Sequence, residues 1–149
     1  MEIKYIKGDL VRDRHNFEVI AHQCNCFLSF GAGIAKQIKE QIPEAYAIDL
    51  QTKYGDRNKL GTISKTIESI PTIVNMYGQY KYTRSEVDTN YEALRKCMAL
   101  LKKQFTGKKI GFPLIGAGLA AGDWKIIEDI ITTELEGEDV TVVIWEKNK

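Results

Sequence analysis

The chain has 149 residues, of which 44% are hydrophobic and 28% charged, a composition typical of one soluble domain with a buried core. The 21 basic and 20 acidic residues give a net charge of +1 and form no long basic block, so charge gives no strong signal for nucleic-acid binding. Three cysteines argue against a disulfide framework, and neither a leader segment nor a membrane span of ~20 apolar residues occurs. We expect a single cytoplasmic domain over residues 1–149.

Segments with strand-like and helix-like patterns alternate along the chain. The predicted order is strand 3–8, strand 17–22, helix 33–42, a helix from Pro43 that stops at Gly55, strands 61–67 and 70–77, a long helix from Ser85 with Val87, Tyr91, Leu94, Met98 and Leu101 as its core stripe, strand 108–114, helix 123–135 and strand 139–146. This interleaving predicts an α/β fold, a three-layer α/β/α sandwich around a mixed, mostly parallel central sheet.

Two glycine-rich loops follow predicted strands and lead into predicted helices. They are residues 23–33 and residues 114–124, "LIGAGLAAGDW". Open α/β sheets bind ligands beyond the carboxyl ends of their strands, which is where both loops should lie. The two loops are therefore the first candidates for a binding site.

Metal and thiol chemistry are alternatives at the start of the first loop, "HQCNC". His22, Cys24 and Cys26 lack the fourth ligand that a structural zinc site requires, so a metal site is disfavoured. A catalytic thiolate needs an orienting base, and the sequence offers His22 and His15 without a third member. The thiol alternative stays open at this stage, and strand alternation favours buried cysteines.

A phosphate-binding site is the best supported interpretation of the two loops. Gly31 and Gly33 precede a helix whose free N–H groups and positive dipole end favour an anion, and Gly116, Gly118 and Gly122 repeat the pattern. Neither loop is a dinucleotide fingerprint or a Walker loop, and either one alone could be only a tight turn. Together they predict a diphosphate held between them.

Three stretches, "IKYIKGDL", "AHQCNCFLSFGAGIAKQI" and "FPLIGAGLAAGDWKII", resemble in this order a macro domain. The resemblance covers nearly the whole chain. It is strongest to the branch that contains the ADP-ribose 1″-phosphate phosphatase and the terminal ADP-ribose protein glycohydrolase. The ligand that this implies is ADP-ribose or its 1″-phosphate.

The resemblance also implies roles for individual residues. Asp9, flanked by Gly8 and Leu10, would accept a hydrogen bond from the adenine amine, although spacing alone makes Asp9 a helix cap. Asn25 would bind the distal ribose, with Phe30 and Tyr77 as its walls. The remaining positions would surround the diphosphate: Gly31, Ala32, Gly33 and Ile34 on one side, and Ile115, Gly116, Ala117, Gly118 and Leu119 on the other.

The resemblance leaves the reaction open. The lysine and aspartate of the glycohydrolase align here with Met76 or Tyr77 and with Ala120, so that covalent mechanism is disfavoured. Asp123 is predicted to be a helix N-cap, and Lys81 a solvated loop residue. We expect a metal-independent phosphatase without a cofactor, in which His22 is the acid or base and Asn25 holds the ribose.

Three other functions remain open from the sequence. The chain could read ADP-ribose without turnover, or hydrolyse another ADP-ribosyl bond, such as that of O-acetyl-ADP-ribose or of modified protein or nucleic acid. It could also be an α/β domain without a ligand. We expect a monomer, since no extended apolar surface helix is left over.

Overall fold

The computed structural model describes residues 2–83 and 85–146. Its strands are β1 (Lys4–Gly8), β2 (Val19–Gln23), β3 (Ile63–Lys65), β4 (Thr72–Met76), β5 (Lys109–Phe112) and β6 (Asp139–Trp145). Its α-helices are α1 (Gly33–Gln41), α2 (Pro43–Asp49), α3 (Tyr91–Phe105) and α4 (Trp124–Glu134). No helix in these described ranges is long and apolar enough to cross a bilayer.

The strands form one sheet in the order β1-β6-β5-β2-β4-β3. Every neighbouring pair is parallel except β3 and β4, which run antiparallel at one edge. The mixed, mostly parallel sheet predicted from the sequence is thus confirmed. Parallel strands bring their carboxyl ends to one edge of the sheet, so the loops that follow β5 and β2 lie side by side, next to the end of β6.

Helices cover both faces of the sheet. Val19 and Ala21 of β2 pack in the core under α3 and α4, whereas Ile20 between them packs in a second core with α1 and α2. This alternation is the period of two expected for a strand. The second face also contains Phe30 and Ile38, so the first glycine-rich loop is anchored to it. The three-layer sandwich is confirmed.

The helix predicted from Ser85 begins later, at Tyr91. The side-chain oxygen of Asn90 accepts a hydrogen bond from the Ala93 N–H and caps the helix there. Upstream of this cap, the Asp88 carboxylate accepts a hydrogen bond from the Thr83 N–H and holds the segment in a loop. Val87 was predicted to lie on the buried face of this helix. It lies in the loop instead, and its side chain is 57% exposed, so this prediction was wrong.

The second helix is also shorter than predicted. It ends at Asp49, and the following turn is closed by the Thr52 side-chain hydroxyl, which donates to the Asp49 carbonyl. Leu50 was predicted to be buried but is half exposed. Residues 50–55 therefore form turns, and the N–H of Gly55 donates to the Cys26 carbonyl near the first glycine-rich loop.

Candidate ligand-binding cleft

A cleft of about 220 Å³ opens at the carboxyl edge of the sheet. Its walls come from the loop after β2, from the loop after β5 and from the segment that precedes α3. The predicted site residues that line it are Asn25, Phe30, Gly31, Ala32, Gly33, Ile34, Ile115, Gly116, Gly118 and Leu119. The fold therefore brings the two glycine-rich loops together, as their sequence positions predicted.

The first loop presents backbone donors. Ala32 is the N-cap of α1 and offers no side-chain acceptor, so the first N–H groups of this helix have no protein cap. Gly33 has φ +60°, which allows the chain to turn sharply into the helix, whereas Gly31 does not adopt the positive φ that we expected. The uncapped N-terminus with its positive dipole end is suited to an anion.

The second loop is folded back on itself beside α4. The N–H of Gly122 donates to the Gly116 carbonyl at 2.6 Å, and Gly116 has φ +70°. Within the described residues, the N–H groups of Gly118 and Leu119 have no backbone acceptor. A Cβ on Gly33 would lie 3.8 Å from the Leu119 Cδ1 atom, so the two loops approach each other closely across the cleft.

A second cavity of about 440 Å³ adjoins the cleft. We call it the apolar cavity because its walls are mostly hydrophobic; they are Leu10, Gly33, Ile34, Gln37, Pro113, Leu114, Val143 and Trp145. The cleft and the apolar cavity share part of their walls and are therefore adjacent. The shared residues are Gly33, Ile34, Pro113 and Leu114. The Trp145 side chain is 65% exposed at its rim and offers a flat aromatic surface.

Four predicted ligand residues line neither space: Gly8, Asp9, Tyr77 and Ala117. Asp9 nevertheless lies next to the apolar cavity, since its carboxylate accepts hydrogen bonds from the Gln37 side chain. Asp9 also accepts from the Arg12 N–H at 3.0 Å and stabilises a turn, but the helix cap that spacing predicted was wrong, because the short 3-10 helix begins only at Arg14, after Asp13.

Asn25 lines the cleft and shapes the first loop. Its Oδ1 atom accepts from the Phe27 N–H at 2.9 Å, and its Nδ2 atom donates to the Ser29 carbonyl at 2.9 Å. These bonds hold the chain in the turn that leads to Phe30, whose ring lines the cleft. Asn25 is therefore a structural element of the loop as well as part of the cleft wall.

The structure corrects the position expected for His22. Its side chain is 0% exposed and faces the α1 and α2 layer, outside the walls of the cleft. The Nε2 atom lies 2.7 Å from Asn75 Oδ1, and the Asn75 amide donates to the Ala45 carbonyl, so Nε2 carries the hydrogen. Burial lowers the pKa of His22 to about 4, so the ring is neutral at pH 7.

Tyr77 is also buried away from the cleft, so its predicted role as a wall of the distal ribose was wrong. Its hydroxyl donates to Asp49 Oδ1 at 2.6 Å and lies 2.8 Å from Ser64 Oγ. Burial raises the pKa of both the Tyr77 phenol and the Asp49 carboxyl. We refer to His22, Asp49, Ser64, Asn75 and Tyr77 as the buried polar cluster.

Sequence reasoning missed five polar residues of the cleft, namely Gln23, Ser29, Gln79, Tyr82 and Asp88. The Asp88 side chain is 9% exposed, and the Asp88 N–H donates to the Ala120 carbonyl of the second loop. Asp88 lay inside the helix predicted from Ser85, so no sequence signal separated it from solvated helical acids. Neither lysine nor arginine lines the cleft or the apolar cavity within the described ranges.

A chain of side-chain hydrogen bonds supports the second loop from below. Gln23 Nε2 donates to Gln79 Oε1 at 2.9 Å and to Thr89 Oγ1 at 3.0 Å. The Thr89 hydroxyl in turn donates to the Gly116 carbonyl at 2.7 Å. The loop carbonyl is thereby directed into the protein, and Gln23 Oε1 has no partner among the described residues.

Thiol and metal chemistry find little support in this geometry. Cys24 is buried beside His22, and burial raises the pKa of its thiol, so a thiolate is disfavoured at pH 7. Within residues 2–83 and 85–146, no group of three or more His, Cys, Asp or Glu side chains is arranged to hold a metal ion.

Comparisons of the sequence and of the fold with known proteins all point to the same family. The chain is 38% identical over 153 residues to an uncharacterized 17.5 kDa protein of Enterobacteria phage T4, covering 98% of each chain. It is 30% identical over 164 residues to the ADP-ribose 1″-phosphate phosphatase of Debaryomyces hansenii, covering 87% of this chain and 92% of that protein. Thermosipho africanus DarTG, solved in complex with ADP-ribose, shares the fold with a TM-score of 0.69 at 20% identity, over 100% of this chain and 44% of that one. The macro domain family model matches residues 21–131, and the chain belongs to the macro domain family.

Proposed function

We propose that this macro domain binds ADP-ribose across the cleft and the apolar cavity, and that it hydrolyses ADP-ribose 1″-phosphate to ADP-ribose and phosphate. The observation that carries the proposal is the pair of loops that face each other across the cleft and present backbone N–H groups without an acceptor among the described residues. The phosphatase name of a relative at 30% identity supports the same substrate.

The two spaces suit the two ends of the ligand. The diphosphate would lie between the loops, where the N–H groups of Gly118 and Leu119 and the uncapped start of α1 offer donors. The adenine would occupy the apolar cavity against Trp145, where its flat face meets an aromatic surface. The distal ribose would then lie at the end of the cleft lined by Asn25 and Phe30.

Asp88 is the group that we propose for the chemical step, since its side chain supplies a carboxylate among the described residues that line the cleft. Its carboxylate would accept a proton from the attacking water as the water oxygen bonds to phosphorus. The bond between phosphorus and the 1″ oxygen would break, and that oxygen would take up the proton that the Asp88 carboxylate accepted from the water. Loop N–H groups would stabilise the charge that develops on the phosphate.

His22 acts in this proposal as a positioning residue. Its ring contacts the Phe30 ring edge-on with centroids 5.2 Å apart, so it supports a wall of the cleft from behind. Being buried and neutral, it does not exchange protons with the ligand. This replaces the general acid or base role that the sequence suggested.

A second candidate reaction is favoured by the charge of the cleft. A dianionic 1″-phosphate that approaches the Asp88 carboxylate meets like-charge repulsion. A neutral leaving group, such as an acyl ester or a glycosidic link to protein or nucleic acid, avoids this repulsion. The same carboxylate would then activate water for attack on the ADP-ribosyl bond.

Two measurements test these proposals. Calorimetric titration with ADP-ribose should give a 1:1 complex, and incubation with ADP-ribose 1″-phosphate in EDTA should release inorganic phosphate. Release from O-acetyl-ADP-ribose or an ADP-ribosylated substrate, but not from the 1″-phosphate, would select the second reaction. Tight binding without any turnover would define a non-catalytic reader, and absence of binding would reject the site.

A further inference from the structure

Gln37 lies between Asp9 and the apolar cavity. It follows Gly33 by one helical turn on α1, and its side chain forms part of the cavity wall. Its Nε2 atom lies 3.3 Å from Asp9 Oδ2 and 3.5 Å from Asp9 Oδ1. Through this contact an acid outside the cavity wall is linked to a side chain inside it.

The contact fixes the orientation of the Gln37 amide. A carboxylate only accepts hydrogen bonds, so the NH₂ side of the amide must face Asp9. Gln37 Oε1 then has no hydrogen-bond partner among the described residues. Asp9 Oδ1 is already used by the Arg12 N–H, whereas Asp9 Oδ2 accepts only from Gln37 within the described chain. Asp9 Oδ2 and Gln37 Oε1 thus both have capacity to accept a further hydrogen bond, and they belong to side chains in contact with each other.

We infer that Gln37 determines base specificity together with Asp9, by offering paired acceptors to the two hydrogens of an exocyclic amine. This inference rests on the proposed placement of the base in the apolar cavity. The 6-amino group of adenine carries two N–H donors and satisfies both acceptors. Hypoxanthine carries an oxygen at the same position, which would face two acceptors without a hydrogen between them.

The size of the effect follows from hydrogen-bond energetics. A matched pair of hydrogen bonds to a base is worth ~1–3 kcal/mol of discrimination, which corresponds to a preference of about 5- to 150-fold. Gln37 supplies one of the two acceptors. Its removal should therefore reduce the preference by about fivefold, the value of one hydrogen bond.

The test compares ADP-ribose with inosine diphosphate ribose, its hypoxanthine analogue, by calorimetry. The variants are Gln37→Leu, which removes the acceptor, and Gln37→Lys, which replaces it by donors. Gln41→Leu is the matched control, since Gln41 is an exposed residue of the same helix that lines neither space. The thermal midpoint of each variant is measured to separate binding from folding.

Wild type and Gln41→Leu should prefer ADP-ribose by about tenfold or more. Gln37→Leu should lose about fivefold of that ratio, and Gln37→Lys should lose more, because its ammonium donates to the hypoxanthine oxygen. An unchanged ratio in both variants overturns the inference, while intact ADP-ribose binding leaves the proposed function standing. If the wild type binds neither nucleotide, the proposed function and this inference both fall.

Discussion

The cleft and the buried polar cluster both include residues at the end of β2 and differ in what satisfies their polar groups. In the cluster, His22 pairs with Asn75, and Tyr77 pairs with Asp49. In the cleft, the N–H groups of Gly118 and Leu119 have no acceptor among the described residues. Paired and sealed groups stabilise a fold, whereas unpaired groups in a cleft keep free energy available for a ligand.

Neighbouring residues of one strand separate these two regions. His22 faces the α1 and α2 layer, whereas Gln23, one position later, lines the cleft and supports the second loop. Strand alternation sends successive side chains to opposite faces of the sheet. Changes in the cleft should therefore alter binding and turnover, and changes in the cluster should alter stability.

The largest effect is expected from Asp88→Asn. Under the proposed function, the amide cannot accept the proton of water, so turnover of ADP-ribose 1″-phosphate should fall by about 10²–10⁴-fold. Affinity for ADP-ribose should change little. Glu86→Gln is the matched control, since Glu86 is exposed and pairs with Lys81 at the surface. Equal turnover in the two variants would remove Asp88 from the mechanism.

Gly122→Ala should damage the cleft through its backbone. A Cβ at this position would lie 2.5 Å from the Gly116 carbonyl oxygen, so the second loop must move. A displacement of this kind should lower turnover by about 100-fold and weaken ADP-ribose binding. Gly118→Ala is the comparison, because its Cβ would meet no atom within 4 Å and should leave the thermal midpoint unchanged. A wild-type affinity in Gly122→Ala would show that the loop geometry is not required.

Acid should lower the free energy of unfolding through the protonation of His22. Its pKa is about 4 in the folded protein and ~6.5 when unfolded, so the unfolded chain binds the proton more tightly. The stabilisation is complete above pH 6.5 and is lost as the pH falls towards 4. Between pH 7 and pH 4.5 this amounts to roughly 2.5 kcal/mol.

Urea unfolding of wild type and His22→Gln at these two pH values measures this contribution, because carboxylate titration is common to both proteins. The variant should lose less stability on acidification than the wild type. Equal losses would mean that His22 does not titrate between the folded and unfolded states.

Tyr77→Phe should give the smallest of these effects. Removal of the hydroxyl leaves Asp49 Oδ1 without its donor, and Oδ2 already has no partner among the described residues. The free energy of unfolding should fall by ~1–3 kcal/mol, with ADP-ribose affinity retained. Tyr54→Phe, at an exposed ring, is the control and should stay within ~0.5 kcal/mol of wild type. A loss of affinity in Tyr77→Phe at equal stability would show that the Tyr77 hydroxyl contributes to ligand binding.

Much of the fold could be predicted from the spacing of residue types along the sequence. The isoleucines of α1 and the core stripe of α3 are local signals with helical spacing, and both helices form there. The start of α3 was misplaced because the segment before Tyr91 has an acceptable helical composition. Hydrogen bonds from Thr83 to Asp88 and from Ala93 to Asn90 decide the boundary.

The sequence by itself determined the layered α/β architecture and the two glycine-rich loops, because periodicity and turn residues act over a few neighbouring positions. Only the tertiary structure decided that the side chains of His22 and Tyr77 are buried. It also decided that Gln37 lines the apolar cavity and Asp88 the cleft. Those outcomes depend on which helix covers each face of the sheet. Such packing joins residues far apart in the chain, and no local pattern encodes it.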